Sequence, residues 1–100
     1  MSPDLKSQTT ARLRAGLADH MLPCAARPEL FFEPDTTDLF GEKPAAKELR
    51  ENAARMLCES CPARALCLEL ALRESPTAGV WAGYTADELT DMGHYLREVA

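Results

Sequence analysis

The sequence predicts an all-α domain of four or so short helices gathered on a centre of four cysteines. Apolar residues recur at three- and four-residue spacing in four separate stretches, and no stretch alternates as a strand would. Prolines 23, 44, 62 and 76 punctuate those stretches at positions where helices start or stop. The only cysteines, Cys24, Cys58, Cys61 and Cys67, fall in the pattern C-x33-C-x2-C-x5-C. Residues 1–9 read as a flexible N-terminus, residues 1–8 being polar, and residues 10–100 as one domain.

The first helix is expected from Thr9 or Thr10, with Thr10 as N-cap. Leu13, Leu17 and Met21 would line its packed face, and Pro23 would end it by disfavouring helical geometry at Leu22. Residues 25–43 hold Pro28, Pro34 and Gly41 without a sustained period, so they read as an ordered loop with a short helical turn at most. Inside it Phe31 and Phe32 lie between two prolines. A buried aromatic removes about 150–250 Å² from water, so this pair either caps a small core or faces a partner. Own-core burial is the first expectation, with one ring turned inward and one outward.

Pro44 suits the first turn of a second helix, running to about Leu57. Its packed face is expected to be Ala46, Leu49, Ala53 and Met56. Lys47, Glu48, Arg50 and Glu51 should lie outside, and Glu51 and Arg55 stand in the favourable i, i+4 order. Cys58 then sits at a helix C-terminus. Pro62 restarts helix with Cys61 in the cap position, near free N–H groups that favour a thiolate. Cys67 should point back from the second turn, and Ser75-Pro76 ends this third helix. Gly79-Val80-Trp81-Ala82-Gly83 brackets the only tryptophan with glycines and reads as a tight turn. Thr85-Ala86-Asp87-Glu88 is a capping-box signature for a last helix through Leu89, Met92 and Leu96 to about Val99.

Three cysteines within ten residues have no packing rationale. A C-x2-C pair brings two sulfurs to one centre, a third joins if the chain turns back, and Cys24 closes the fourth corner. Spacing alone admits a structural four-cysteine zinc site or an iron–sulfur cluster, and by itself puts zinc first. Either would tie Cys24 to the C-terminal half of a 100-residue chain whose own core is marginal, since many of its 46% apolar residues are alanines. The net charge of −5 argues against non-specific affinity for nucleic acid or an anionic membrane. No apolar run approaches the roughly 18 residues of a membrane span, and the N-terminus lacks a signal-peptide apolar region. These features predict a cytoplasmic protein, where a cysteine cluster is metal-binding or redox-active.

Taken together, the lone N-terminal cysteine, the L-F-F-x-P segment, C-x2-C-x5-C, G-V-W-x-G and a short final helix resemble the WhiB-like proteins of actinobacteria and their phages. The likeness covers residues 20–96. It implies a 4Fe-4S cluster held by Cys24, Cys58, Cys61 and Cys67, inside a small helical fold. It also implies a transcriptional regulator that binds the C-terminal domain (region 4) of the principal sigma factor of RNA polymerase. Phe31, Phe32, Gly79, Val80, Trp81 and Gly83 match the family's partner-binding residues. The cluster is further expected to sense redox state or nitric oxide. Three departures stand out. Ala82 replaces a usual glycine, the Cys24–Cys58 spacing is long, and the tail after Gly83 holds Arg97 against Asp87, Glu88, Asp91 and Glu98. An acidic tail argues against direct reading of DNA, so DNA is expected to be reached only through the polymerase.

Two alternatives remain beside that reading: a thiol–disulfide reductase working through Cys58 and Cys61 without a cluster, and the structural zinc module. The reductase has against it the absence of a βαβ pattern. No phosphate loop, catalytic triad or convergent carboxylate pair is present, so neither an enzyme nor a small-molecule substrate is expected. His20 and His94 read as surface residues.

Overall fold

Helices begin where the chain supplies a cap or a proline. The computed structural model describes residues 5–34 and 41–99, with side chains as far as His94. Helix α1 spans Thr10–Ala18, and its N-cap is Thr9, one residue earlier than expected: Thr9 Oγ1 accepts the Arg12 N–H at 3.1 Å. It ends four residues sooner than Pro23 alone requires. Asp19 and His20 close the end with N–H bonds of 3.2 Å to Gly16 and Leu17. A carboxylate at a helix C-terminus opposes the helix dipole, and Asp is a weak helix former. Met21 therefore lies outside the helix, 95% exposed, while Leu13 is fully buried and Leu17 half-buried.

Leu22 is extended ahead of Pro23, and two 3-10 turns follow, Pro23–Ala25 and Pro28–Leu30. Residues 35–40 of the expected loop fall outside the described residues. Helix α2 spans Pro44–Glu59 with Pro44 in its first turn, as expected. Its buried face, however, differs from expectation. Leu49 and Met56 are 74% and 69% exposed, and Ala46 is exposed as well. Ala54 and Cys58 are buried instead, and Arg50, eight residues before Cys58 on the same side, turns inward. Arg50 tolerates this because Glu42 accepts two of its N–H groups at 2.9 and 3.1 Å and the Leu30 carbonyl a third at 3.0 Å. Those bonds hold the Glu42 carboxyl below the usual carboxylate range. Arg55 reaches Glu88 at 3.0 Å rather than Glu51 on its own helix.

Helix α3 spans Arg64–Glu74 and stops at Ser75, which takes a left-handed φ of 52° just before Pro76. Helices α1 and α3 pack together. Gly16 permits the approach, since a Cβ there would meet Leu66 Cδ1 at 3.0 Å. Residues 5–8, expected to be loose, contain a 3-10 turn (Leu5–Ser7), and Arg73 gathers the carbonyls of this segment: Leu5 at 3.0, Lys6 at 3.2 and Gln8 at 2.6 Å.

The expected tight turn around Trp81 is a hairpin of two-residue strands, β1 (Val80–Trp81) and β2 (Tyr84–Thr85), paired antiparallel. The fold is thus mostly helical with a minimal sheet. Helix α4, Ala86–Val99, opens with the expected capping box: Glu88 accepts the Thr85 N–H at 2.9 Å, and Thr85 Oγ1 accepts the Glu88 N–H at 3.2 Å. The side chains of Leu96, Arg97 and Glu98 lie outside the described residues. A core of Phe31, Ala54, Cys58 and Val80 joins α2, the Phe31 segment and the hairpin, with Cys24, Leu30 and Leu57 packed against it. No helix among the described residues is long and apolar enough to cross a membrane.

Candidate metal centre

Each cysteine is delivered by a different local device. Cys24 sits within the 3-10 turn that Pro23 initiates. Cys58 is the penultimate residue of α2. Cys61 does not cap a helix, as had been expected. It opens a β-turn, Cys61-Pro62-Ala63-Arg64, closed by the Arg64 N–H on the Cys61 carbonyl at 3.3 Å. Proline suits the second position of such a turn and Ala63, at φ −102° and ψ 15°, the third. Helix α3 therefore starts two residues later than Pro62, and Cys67 lies in its first turn, N–H bonded to the Ala63 carbonyl at 2.8 Å.

All four thiols line one cavity of about 360 Å³ between α1, α2, α3 and the hairpin. Its other walls are almost wholly apolar and include Leu17, Phe31, Phe32 and Trp81, with Arg64 as the charged exception. Burial pushes the Cys67 thiol up to about 11 from an ordinary 9.0, against an opposing hydrogen bond from the Ala82 N–H. Burial likewise raises Cys58, opposed by the Gly83 N–H, and Cys24, with further upward pressure from neighbouring thiols. Buried thiols held protonated must release their protons to bind any metal group.

The turn between β1 and β2 is Ala82-Gly83, with φ of 56° and 90°. Positive φ at both central positions is what a hairpin turn of this length requires. Ala82 thus occupies the strained alternative for an alanine. Arg64 Nε donates to the Ala82 carbonyl at 3.0 Å, and its guanidinium carbon lies 6.0 Å from the Tyr84 ring centroid. A Cβ on Gly83 would meet Arg64 Nη2 at 3.0 Å, so the two sit in close contact.

The aromatics meet at the same place. Phe31 is buried, 6% exposed, and Phe32 is 48% exposed, the split expected for the pair. The Phe32 and Trp81 rings pack edge to face, centroids 5.9 Å apart at 87°. Trp81 is half-buried and its indole N–H donates to the Ala78 carbonyl at 2.7 Å. Gly79, at φ 91°, makes this junction: the Val80 N–H bonds the Phe31 carbonyl at 2.8 Å, and a Cβ on Gly79 would stand 2.9 Å from that oxygen and 2.7 Å from Phe32 Cε1. His20 and His94 are exposed.

Four thiols around an apolar cavity, with two glycines and two aromatics fixed beside them, invite comparison with known proteins. A family model described as Transcription factor WhiB matches residues 19–92. The chain belongs to the WhiB family. It is 41% identical over 81 residues to the transcriptional regulator WhiD of Streptomyces coelicolor, covering 78% of this chain and 68% of WhiD. To the redox-responsive transcriptional regulator WhiB3 of Mycolicibacterium smegmatis it is 37% identical over 59 residues, 59% of this chain and 56% of WhiB3. To the transcriptional regulator WhiB1 of Mycobacterium tuberculosis it is 34% identical over 61 residues, 61% of this chain and 64% of WhiB1. In this WhiB-family chain the four thiols, Phe31, Phe32, Val80 and Trp81 line one cavity, and Gly79 and Gly83 lie in the adjoining hairpin segment. Arg64 was missed. The available signal was a basic residue inside C-x2-C-x5-C, the one charge between the second C-x2-C cysteine and Cys67.

The donor set bears on what the site holds. Four sulfurs with no oxygen or imidazole ligand suit zinc or iron–sulfur. Zinc draws four sulfurs to about 2.3 Å of one point. Among the described residues no three Cys, His, Asp or Glu side chains converge to hold a single ion. The four thiols line a cavity of about 360 Å³, and an all-sulfur donor set of this kind fits either group.

Proposed function

We propose that this chain is a transcriptional regulator in which Cys24, Cys58, Cys61 and Cys67 ligate a 4Fe-4S cluster and the Phe32–Trp81 face binds region 4 of the principal sigma factor. The observation that carries this reading is the single cavity shared by four thiols and the Phe32–Trp81 pair. When bound, such a cluster supplies one-electron chemistry and reactivity towards oxidants and nitric oxide. The chain's own residues do the rest. The cysteines bring three elements to one centre, and the apolar walls limit water. Gly79 locks the Phe31-Phe32 segment to the hairpin, so the partner face is anchored beside the ligands. A partner covering Phe32 and Trp81 shields the cavity, and the state of the cavity affects partner affinity by the same free energy. With a net charge of −5, the protein reaches DNA through the polymerase, in the cytoplasm where thiols stay reduced.

The thiol–disulfide reductase reading is the less favoured one. Cys61 opens a β-turn rather than capping a helix, and burial raises Cys58 where a nucleophile needs a lowered pKa.

Anaerobic co-purification with a sigma region 4 fragment tests the proposal. The expected complex is brown with equimolar partner, and a colourless, zinc-containing protein contradicts the cluster assignment. Trp81→Ala is expected to keep colour and helical content while losing about 2 kcal/mol or more of partner affinity. A Trp81→Ala protein that bleaches and unfolds places Trp81 in the core instead.

A further inference from the structure

Arg64 is the charged group in the wall of the four-thiol cavity, and its surroundings are unlike those of the five arginines that form ion pairs. Arg14, Arg27, Arg50, Arg55 and Arg73 each pair with a glutamate. Among the described residues Arg64 has no carboxylate partner; it donates to the Ala82 carbonyl at 3.0 Å and rests against Gly83 and Tyr84. An uncompensated guanidinium beside four sulfurs, in a chain of net charge −5, has its natural counter-charge in a thiolate-bound anionic centre. The carbonyl it holds belongs to the strained residue of the turn, Ala82, with φ 56°. The same turn aims its two amides at sulfur: Ala82 N–H at Cys67 and Gly83 N–H at Cys58.

We propose that Arg64 is a positioning residue for the centre: by holding the Ala82 carbonyl it fixes the amides of Ala82 and Gly83 on the sulfurs of Cys67 and Cys58, and with its own charge raises the reduction potential of the group they hold. The direction follows from electrostatics. Reduction adds one electron and no bond changes, so the reduced centre carries more negative charge than the oxidised one. Donated N–H groups and a fixed cation stabilise that extra charge, and more strongly in an apolar cavity than in water. Arginine suits the task because its planar fork spans the carbonyl and the ring while keeping its charge (lysine retains the charge alone). The inference rests on the proposed cluster for its potential, but its positioning half concerns the hairpin itself.

The test uses the full chain, purified anaerobically, as wild type, Arg64→Lys and Arg64→Gln. Spectroelectrochemical titration with dithionite is expected to give midpoint potentials falling in the order wild type, Lys, Gln, with helical content unchanged. In parallel, amide hydrogen exchange of Ala82 and Gly83 is expected to quicken in Arg64→Gln at least tenfold. A Gln variant with the wild-type potential overturns the tuning role, and unchanged exchange at both amides overturns the positioning role. If Arg64→Gln does not hold a cluster, Arg64→Lys decides: a potential equal to wild type then counts against the proposal. A wild-type protein that is itself colourless defeats the cluster reading, while the exchange measurement still judges Arg64.

Discussion

Ala82 shows how a single side chain sets the local energy balance. Its methyl group is buried, yet its backbone sits at φ 56°, a conformation that disfavours alanine relative to glycine by about 1 kcal/mol. Ala82→Gly is therefore expected to raise stability by roughly 0.5–1 kcal/mol, the lower value allowing for lost methyl burial. Chemical denaturation of the two proteins reads this directly; a destabilised glycine variant would show that methyl packing outweighs the strain. Gly79 marks the opposite case. Positive φ and contacts of 2.7 and 2.9 Å between an added Cβ and the Phe31-Phe32 segment leave no room for a side chain. Gly79→Ala is expected to cost about 2–3 kcal/mol and to separate the Phe31-Phe32 segment from the hairpin, visible as a lower denaturation midpoint and weaker partner binding.

At the scale of elements, legibility followed local chemistry. The start of α2 at Pro44, the cap of α4 and the stop at Ser75-Pro76 could be read because each depends on a few adjacent residues. The phase of α2 could not be read from apolar spacing alone. Leu49 and Met56 suggest one face, but Cys58 and Ala54 fix another, with Arg50 carried inward by Glu42 and the Leu30 carbonyl. Counting Cys58 as a core residue would have corrected it. The hairpin escaped notice because strands of two residues offer no alternation. In the site, the residue types were legible and Arg64 was not, since its role depends on a carbonyl 18 positions away. Glu88 joins two elements, capping α4 through Thr85 and pairing with Arg55 of α2. The Thr85 N–H, foremost, and Arg55 hold its carboxyl below the ordinary 4.5. A lowered folded pKa means stability fully present above 4.5 and lost as pH falls from there through the folded value. Glu88→Gln retains an N–H acceptor for the cap but cannot titrate. Its melting temperature is expected to lie below wild type at pH 7 and to converge with it in acid, and parallel pH profiles for the two proteins would contradict this.

For the whole molecule, the question is how 100 residues with small core side chains stay folded. Leu13 is the one large side chain that is fully buried among the described residues, and much of the remaining core is alanine. Such a core leaves little margin. The proposed ligation of one group by Cys24, Cys58, Cys61 and Cys67 would add binding free energy to folding free energy. Cys24→Ser is therefore expected to yield colourless protein with reduced helical signal in circular dichroism, although Cys24 belongs to no α-helix. A colourless Cys24→Ser protein with the helicity and denaturation midpoint of wild type would show that the fold stands without its bound group.

Trp81 is the only tryptophan in the chain, so every photon of indole emission comes from one wall of the cavity. Its ring is held by the Ala78 carbonyl and by Phe32, which fixes its orientation as well as its place. An iron–sulfur centre absorbs broadly across the near ultraviolet and visible, overlapping that emission. With the proposed cluster and partner, this indole would act as an optical gauge: quenched when the thiols are loaded, bright when they are empty, and shifted in colour when the partner removes the indole from water.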